Sequence, residues 1–275
     1  MAVPAYPQMT FLPQVPKPKP PEPVRHVMPN PDDDGREEKY VSGNWKSRIL
    51  LALQSGLPNE ADWAFNKLIK LSFSHNFYQG IVPGILDALL DHASPFFDSL
   101  TLHISKSDFE TLPKKPQYES NPDPIVSPIT EISLFNTKKS GESLERALQV
   151  LHILRNMSFV PENASEFAGD YRLLHFLAKG MAVPGATFYV EVKHYVLEIF
   201  ENIAGYYLIR TPKDFYLACL KRLLGGRDRA VVLSCVRSLT KLGGVEANAD
   251  VLGKGVDDEL VRRMLQLLLV PDEGI

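Results

Sequence analysis

Four segments of the chain can be written over one another: Phe65-x-x-Leu68-x-Lys70-Leu71-Ser72, Leu151-x-x-Leu154-x-Asn156-Met157-Ser158, Leu197-x-x-Phe200-x-Asn202-Ile203-Ala204 and Leu233-x-x-Val236-x-Ser238-Leu239-Thr240. In each, apolar residues recur at three and four positions, the period of a helix with one buried face, and not at the two-residue period of a strand. The closing small residue falls at 72, 158, 204 and 240, at intervals of 86, 46 and 36. The first interval reads as two units of 43, one of them degenerate and carrying an insertion. A period of about 40 residues with two or three helices per unit lies in the range of armadillo and HEAT repeats. One such unit cannot cover its own apolar face, so units stack and bury a continuous core.

Working outward, a shorter apolar helix precedes each pattern helix, at Ile49 to Leu53, Tyr171 to Ala178 and Phe215 to Leu224. Ile81 to Leu90 and Leu260 to Leu269 read as the same element in units whose second half is missing or degenerate. Gly56, Gly180, Gly205, Gly225 and Gly243 read as helix stops. The expected fold is all-α, an armadillo/HEAT-like α-solenoid over residues 42–275.

Ten of the 22 prolines precede residue 32 and lead into the acidic run Asp32 to Glu38. Few large apolar residues and many fixed φ angles predict a disordered proline-rich leader over 1–41. Its PKPKPPEP stretch, residues 16–23, has the form of a ligand for an aromatic groove, although such composition is common in linkers. Pro113, Pro116, Pro122, Pro124 and Pro128, with Lys114-Lys115 and Lys138-Lys139, predict a flexible insertion near 105–141.

With 44% hydrophobic and 23% charged residues, the composition excludes collagen-like, coiled-coil and fully disordered classes. A net charge of -3 argues against a chain that coats nucleic acid through bulk electrostatics. Leu260 to Val270 is the richest apolar tail segment, and Arg262, Arg263 and Gln266 interrupt it, so no membrane span is expected. The proline-broken N-terminus does not read as a signal peptide. Cys219 and Cys235 lie in apolar helical contexts without metal spacing and read as reduced, buried thiols.

The motifs of catalysis are missing: there is no GxSxG, GxxxxGK[ST], HExxH, or GxGxxG between strand and helix. His26, His75, His92, His103, His152, His175 and His194 are scattered, with none at metal spacing to another histidine or cysteine. The acidic run carries Glu37 where a calcium loop turns on glycine. The sequons at Asn156 and Asn163 read as chance matches. No enzyme activity, cofactor, metal or small-molecule substrate is expected.

Candidate binding residues come from the helix faces. With Leu68, Leu154, Phe200 and Val236 inside, Lys70, Asn156, Asn202 and Ser238 point about 200° away at roughly 100° per residue. Asn66, His152, Glu198 and Ser234 precede them by four positions, and Trp63, Gln149, Tyr195 and Val231 by seven, on nearly the same face. These twelve positions are expected to line one groove for a partner. The asparagines either clamp the backbone of an extended peptide or bond to the backbone of the neighbouring repeat. Trp63 and Tyr195 are anchors if exposed and core if not. A basic turn at Lys221, Arg222, Arg227 and Arg229 is a candidate contact to phosphate or an acidic partner.

Two stretches carry a family resemblance. Ser55-Gly56-Leu57-Pro58-Asn59-Glu60 followed by Asp62-Trp63-Ala64-Phe65-Asn66-Lys67-Leu68, within Asn44 to Leu68, resembles the start of the helical repeat region in the ninth-subunit family of the fungal RSC chromatin remodeller. Gln149 to Phe159 resembles the matching helix there and in the animal ARID-bearing subunit of polybromo-type SWI/SNF complexes. The resemblance covers most of residues 42 to 270. It implies an armadillo-like fold, a nuclear location and a non-catalytic scaffold role. The partners it implies are other remodeller subunits, including helical segments of the ATPase. Family members are longer and include chains with an AT-rich DNA-interaction domain or an RFX-type winged helix. Neither is recognisable here, so DNA reading does not carry over.

Two other functions compete. An importin-like transport adaptor resembles an array of tryptophan and asparagine one turn apart, but here His152 and Glu198 precede the asparagines and Lys67 follows Trp63. A DNA or nucleosome contact would use the basic turn and the lysines of the insertion.

Overall fold

The computed structural model describes residues 44–100, 137–183 and 189–269, and these are helical throughout, with no strand among them. The expected leader at 1–41 and the expected insertion up to residue 136 lie outside the described residues. Helix begins at Thr137, four residues inside the expected end of that insertion.

In chain order the helices are α1 (Trp45–Gln54), α2 (Pro58–Ser72), α3 (Ile85–Asp98), α4 (Thr137–Ser158), α5 (Pro161–Gly169), α6 (Tyr171–Ala182), α7 (Val190–Ile203), α8 (Phe215–Leu224), α9 (Arg229–Gly243), α10 (Ala249–Gly255) and α11 (Asp258–Leu268). Short 3-10 turns fall at Gln79–Ile81 and Glu246–Asn248. Local chemistry sets the starts. Asp170, Asp214, Asp228 and Asp257 each accept backbone N–H bonds from the first turn that follows, and Pro58 and Pro161 open α2 and α5, where a missing N–H costs nothing. Gly56, at φ 69°, turns the chain between α1 and α2 in a conformation that disfavours other residues.

The pattern helices α2, α4, α7 and α9 pack side by side in one row, and α1, α3, α6 and α8 form a second row behind them. Within each repeat the second helix lies on the third: α1 on α2, α3 on α4, α6 on α7, α8 on α9. The architecture is an all-α solenoid. Its repeats are α1–α2; the 79–81 turn with α3–α4; α5–α7; the loop after α7 with α8–α9; and the 246–248 turn with α10–α11.

This corrects the counting of units. Because α2 packs directly on α4, the 86-residue interval reads as one long repeat, and among the described residues no further unit lies between α2 and α4. The second half of the α3 unit is therefore present, as α4. Gly180 is also not a stop. It lies inside α6, where a Cβ would sit 2.5 Å from Val196 Cγ2, so it permits α6 and α7 to approach closely.

The core runs without interruption from Ile49 in α1 to Leu267 in α11. At its centre the Phe200 ring stacks on Tyr216 at 4.4 Å between centroids, with Tyr207 edge-on to both. Beside them Tyr207 donates to the buried Asp214 carboxylate at 2.9 Å, and burial pushes that carboxyl above its ordinary range. Cys219 and Cys235 are buried thiols that form no disulfide, with Cys235 pushed up to about 12 by burial.

Polar groups inside the stack are matched with care. Asn163, at the start of repeat three, is fully buried; its Oδ1 accepts from Gln79 N at 2.8 Å, and its Nδ2 donates to Phe77 O and Met157 O. Asn248, at the start of repeat five, accepts from Ile209 N at 2.9 Å and donates to Tyr207 O and Leu242 O. Each asparagine thus pairs with residues i and i+2 of the preceding repeat's opening loop, as a strand would, and with the carbonyl six residues before itself. Neither position stands out in the aligned pattern, and Asn163 was legible only as a sequon.

Replacing Phe200 with alanine opens a cavity between repeats and is expected to cost about 3 to 5 kcal/mol in denaturant unfolding. Asn163→Ala and Asn248→Ala each strand buried backbone groups and are expected to cost about 1 to 3 kcal/mol per group left unpaired, read from the same titrations.

Candidate partner-binding surface

The third-helix row places the predicted site residues in two different environments. Asn156 is 6% exposed and Ser238 wholly buried, and Val231 is buried with them. These lie in the seams between repeats and not on the floor of an open groove. The seams explain why. Asn156 Nδ2 donates to Ser72 Oγ at 3.0 Å, and Ser72 in turn donates to Ile69 O. One repeat on, Asn202 Nδ2 donates to Ser158 Oγ at 2.9 Å, and Ser158 donates to Arg155 O. The ladder asparagine of each helix therefore bonds to the closing small residue of the helix before it. In the next step of the register Ala204 has no hydroxyl, and Ser238 Oγ has no hydrogen-bond partner among the described residues. Both asparagines thus bond to the neighbouring repeat through a side-chain hydroxyl and not, as the second expectation had it, through its backbone.

The remaining ladder residues stand at the surface. Asn66 and Lys70 are exposed, and Trp63 is half-buried under the Arg48 guanidinium, 4.4 Å from the ring centre. From Phe73, just past α2, an edge-to-face chain of rings crosses three repeats: Phe73 to His152 at 5.8 Å, then His152 to Tyr195 at 5.9 Å. Beside it Arg155 makes a two-point ion pair with Glu198, at 2.6 and 2.7 Å, and lies over the Phe159 ring. Asp62 with Arg146, and Glu201 with Ser234, bridge the same row of helices.

The result is a strip of aromatic and charged side chains fixed in place by contacts between repeats. Phe73 is 47% and Phe159 52% exposed, and each follows directly on the closing small residue of its pattern segment. Extending the alignment by one residue would have found both. Half-exposed aromatics beside a held arginine are the residue types that anchor protein interfaces. No group of three or more His, Cys, Asp or Glu side chains among the described residues is placed to hold a metal ion. No described helix is long and apolar enough to cross a membrane.

The basic turn is partly engaged within the molecule. Lys221 pairs with Asp257 at 2.6 Å and also donates to Gly255 O. Arg263, from α11, donates to Leu224 O and Gly226 O at the end of α8. Arg222, Arg227 and Arg229 are exposed around the turn.

His152 links the strip to the seam. Asn156 Nδ2 faces His152 Nε2 at 3.3 Å, so Nε2 accepts and the ring proton sits on Nδ1, toward the Tyr195 hydroxyl at 3.4 Å. Burial, and then the Arg155 charge, hold the His152 pKa below its ordinary value. The unfolded chain therefore binds this proton at a higher pH than the folded chain. The contribution of His152 to stability is complete above the ordinary histidine value of about 6.5 and is lost as pH falls from there through the lowered folded value. Melting at pH 7.5 and 5.5 is expected to show a larger acid loss for the parent than for His152→Gln.

No family model matches the chain. It is 24% identical over 230 residues to the chromatin structure-remodeling complex subunit rsc9 of Schizosaccharomyces pombe, covering 83% of this chain and 25% of that protein. It is 27% identical over 270 residues to the AT-rich interactive domain-containing protein 2 of Mus musculus, covering 86% of this chain and 14% of that one. The armadillo repeat-containing protein LFR of Oryza sativa subsp. japonica is 31% identical over 163 residues, 45% of this chain and 35% of its own length. The chain thus spans from about a seventh to about a third of the length of these relatives. Over most of its length it is an armadillo-type helical array similar to the rsc9 remodelling-complex subunit and to the AT-rich interactive domain-containing protein 2.

Proposed function

We propose that this chain is a non-catalytic scaffold in a nuclear ATP-dependent chromatin-remodelling complex, binding other subunits through its solenoid surface. The observation that carries the reading is the strip from Phe73 through His152 and Tyr195, with Phe159 under Arg155, on a chain similar to a remodelling-complex subunit. Rings held by inter-repeat contacts lose little freedom when a partner docks, so their burial contributes to affinity with a small ordering cost. The partner segments are helices or extended stretches of other subunits, those of the ATPase included, and the ATPase supplies the chemistry.

The transport-adaptor reading needs asparagine amides free to clamp a peptide, and those of Asn156 and Asn202 are engaged with Ser72 and Ser158. Of the basic turn that the nucleic-acid reading would use, Lys221 makes contacts within the chain and Arg222, Arg227 and Arg229 are exposed, while Lys114 and Lys115 lie outside the described residues.

Affinity purification of the tagged chain from nuclear extract, followed by mass spectrometry, is expected to recover remodeller subunits. Phe73→Ala with Phe159→Ala is expected to lower their recovery by about tenfold or more while leaving the melting temperature close to that of the parent. Transport receptors in their place, or recovery unchanged in the double variant, would overturn the proposal. Duplex DNA bound much tighter than micromolar at low salt would move the main role to the basic turn.

A further inference from the structure

We infer that docking on the strip is proton-linked through His152: the surface takes its partner with a neutral imidazole and releases it when the ring gains a proton. The inference rests on the strip being the docking surface. The ring belongs to two systems at once. At the surface it packs edge-to-face with Phe73 and Tyr195, at 5.8 and 5.9 Å between centroids. Inward, Nε2 accepts from Asn156 Nδ2 at 3.3 Å, and the same amide donates to Ser72 Oγ in the buried seam at 3.0 Å. A proton on Nε2 sets a donor against a donor. The amide does not answer by turning over, because its Oδ1 faces Arg155 Nη1 at 3.4 Å, and exchange would bring Nδ2 against a guanidinium that Glu198 holds in place. The charged ring is relieved by swinging out of the seam, and the strip then loses the ring between Phe73 and Tyr195.

The groups around the ring decide the sign. Arg155, on the same helix, opposes the proton. Across the seam α7 brings Glu191, which favours it, together with Tyr195 and with Glu198, which is taken up by Arg155. The end of α2 brings the Phe73 ring and, one turn earlier, the exposed Lys70. Burial and Arg155 outweigh Glu191, so the ring is neutral at about pH 7. A partner lying over it takes it further from water, which disfavours the charged form again. Docking and protonation therefore oppose each other, and each weakens the other by the same factor.

In the free full chain, nitrogen NMR is expected to show His152 protonated on Nδ1 at pH 7.5 and gaining its second proton below about pH 6.5, with the Asn156 side-chain amide signals shifting in step. An Asn156 amide unmoved through that titration would overturn the inference. The tagged full chain, loaded with subunits from nuclear extract at pH 7.5, is then washed in steps to pH 5.5 while circular dichroism follows its helical signal. Affinity is expected to fall by up to about tenfold per pH unit below the midpoint of the ring. His152→Gln, measured against its own level at pH 7.5, is expected to lack this step, and Glu191→Gln to move it to lower pH. Equal release from the parent and His152→Gln, tighter retention in acid, or release only where the helical signal is lost would each overturn the inference. Remodeller subunits held by the parent through the acid steps would remove the proton link but leave the scaffold reading. Proteins outside such complexes, captured at pH 7.5 and released at this step, would do the reverse.

Discussion

A third helix of this solenoid is apolar on more sides than its own repeat can cover, and that one constraint organises the rest. Leu154 and Met157 of α4, like Phe200 and Ile203 of α7, are wholly buried because a helix of the adjoining repeat lies against them. Removing that surface from water drives the stacking, but burial is indifferent to sliding and rotation. The polar groups in each seam supply the missing direction. Asn156 on Ser72 and Asn202 on Ser158 fix neighbouring third helices to one register, since a shift by one residue would leave a buried amide at 156 and a part-buried one at 202 without a hydroxyl.

The second polar device works at the start of the repeats. Asn163 and Asn248 bind the opening loops of the repeats before them, at Phe77 to Gln79 and at Tyr207 to Ile209. Both of those repeats open on a loop or a 3-10 turn where repeat three has α5. An irregular loop presents backbone groups that a helix would pair internally, and burying them unpaired is costly. A side-chain amide from the next repeat replaces the missing helical bonds. The Arg172 ion pairs with Asp87 and Asp91, and that of Lys179 with Asp98, tie α6 to α3 on the opposite face; being largely exposed, they contribute less.

Much of this was legible because stacking imposes a repeated pattern on the chain. The four aligned segments gave the third-helix row, and the apolar runs before them the second-helix row. Unit number was misread because an insertion between α3 and α4 doubles one interval, and spacing alone does not distinguish a long repeat from two. Gly180 was misread because glycine at a stop and glycine at a close helix crossing look alike until the neighbour, here Val196, is placed. The asparagine ladder was found, and so was its direction away from the helix's own core. What helical-wheel geometry does not contain is the next helix, which turns an outward face at 156 and 238 into a seam. Asn163 and Asn248 were hidden for a related reason: their partners lie in loops, which have no period to align.

The same seams decide what the molecule can offer to others. A residue facing along the stack is used by the stack, so the predicted groove was in part the packing itself. What remains stands beside the seams. Across the row stand side chains that the seams hold but do not bury, such as Phe73, Phe159 and the Tyr195 ring, fixed at intervals set by the spacing of the repeats. A strip of rigid anchors suits a partner that runs along several repeats. The distance between such anchors is set by the packing of the repeats between them, so a partner that met more than one would have to match the pitch of the stack.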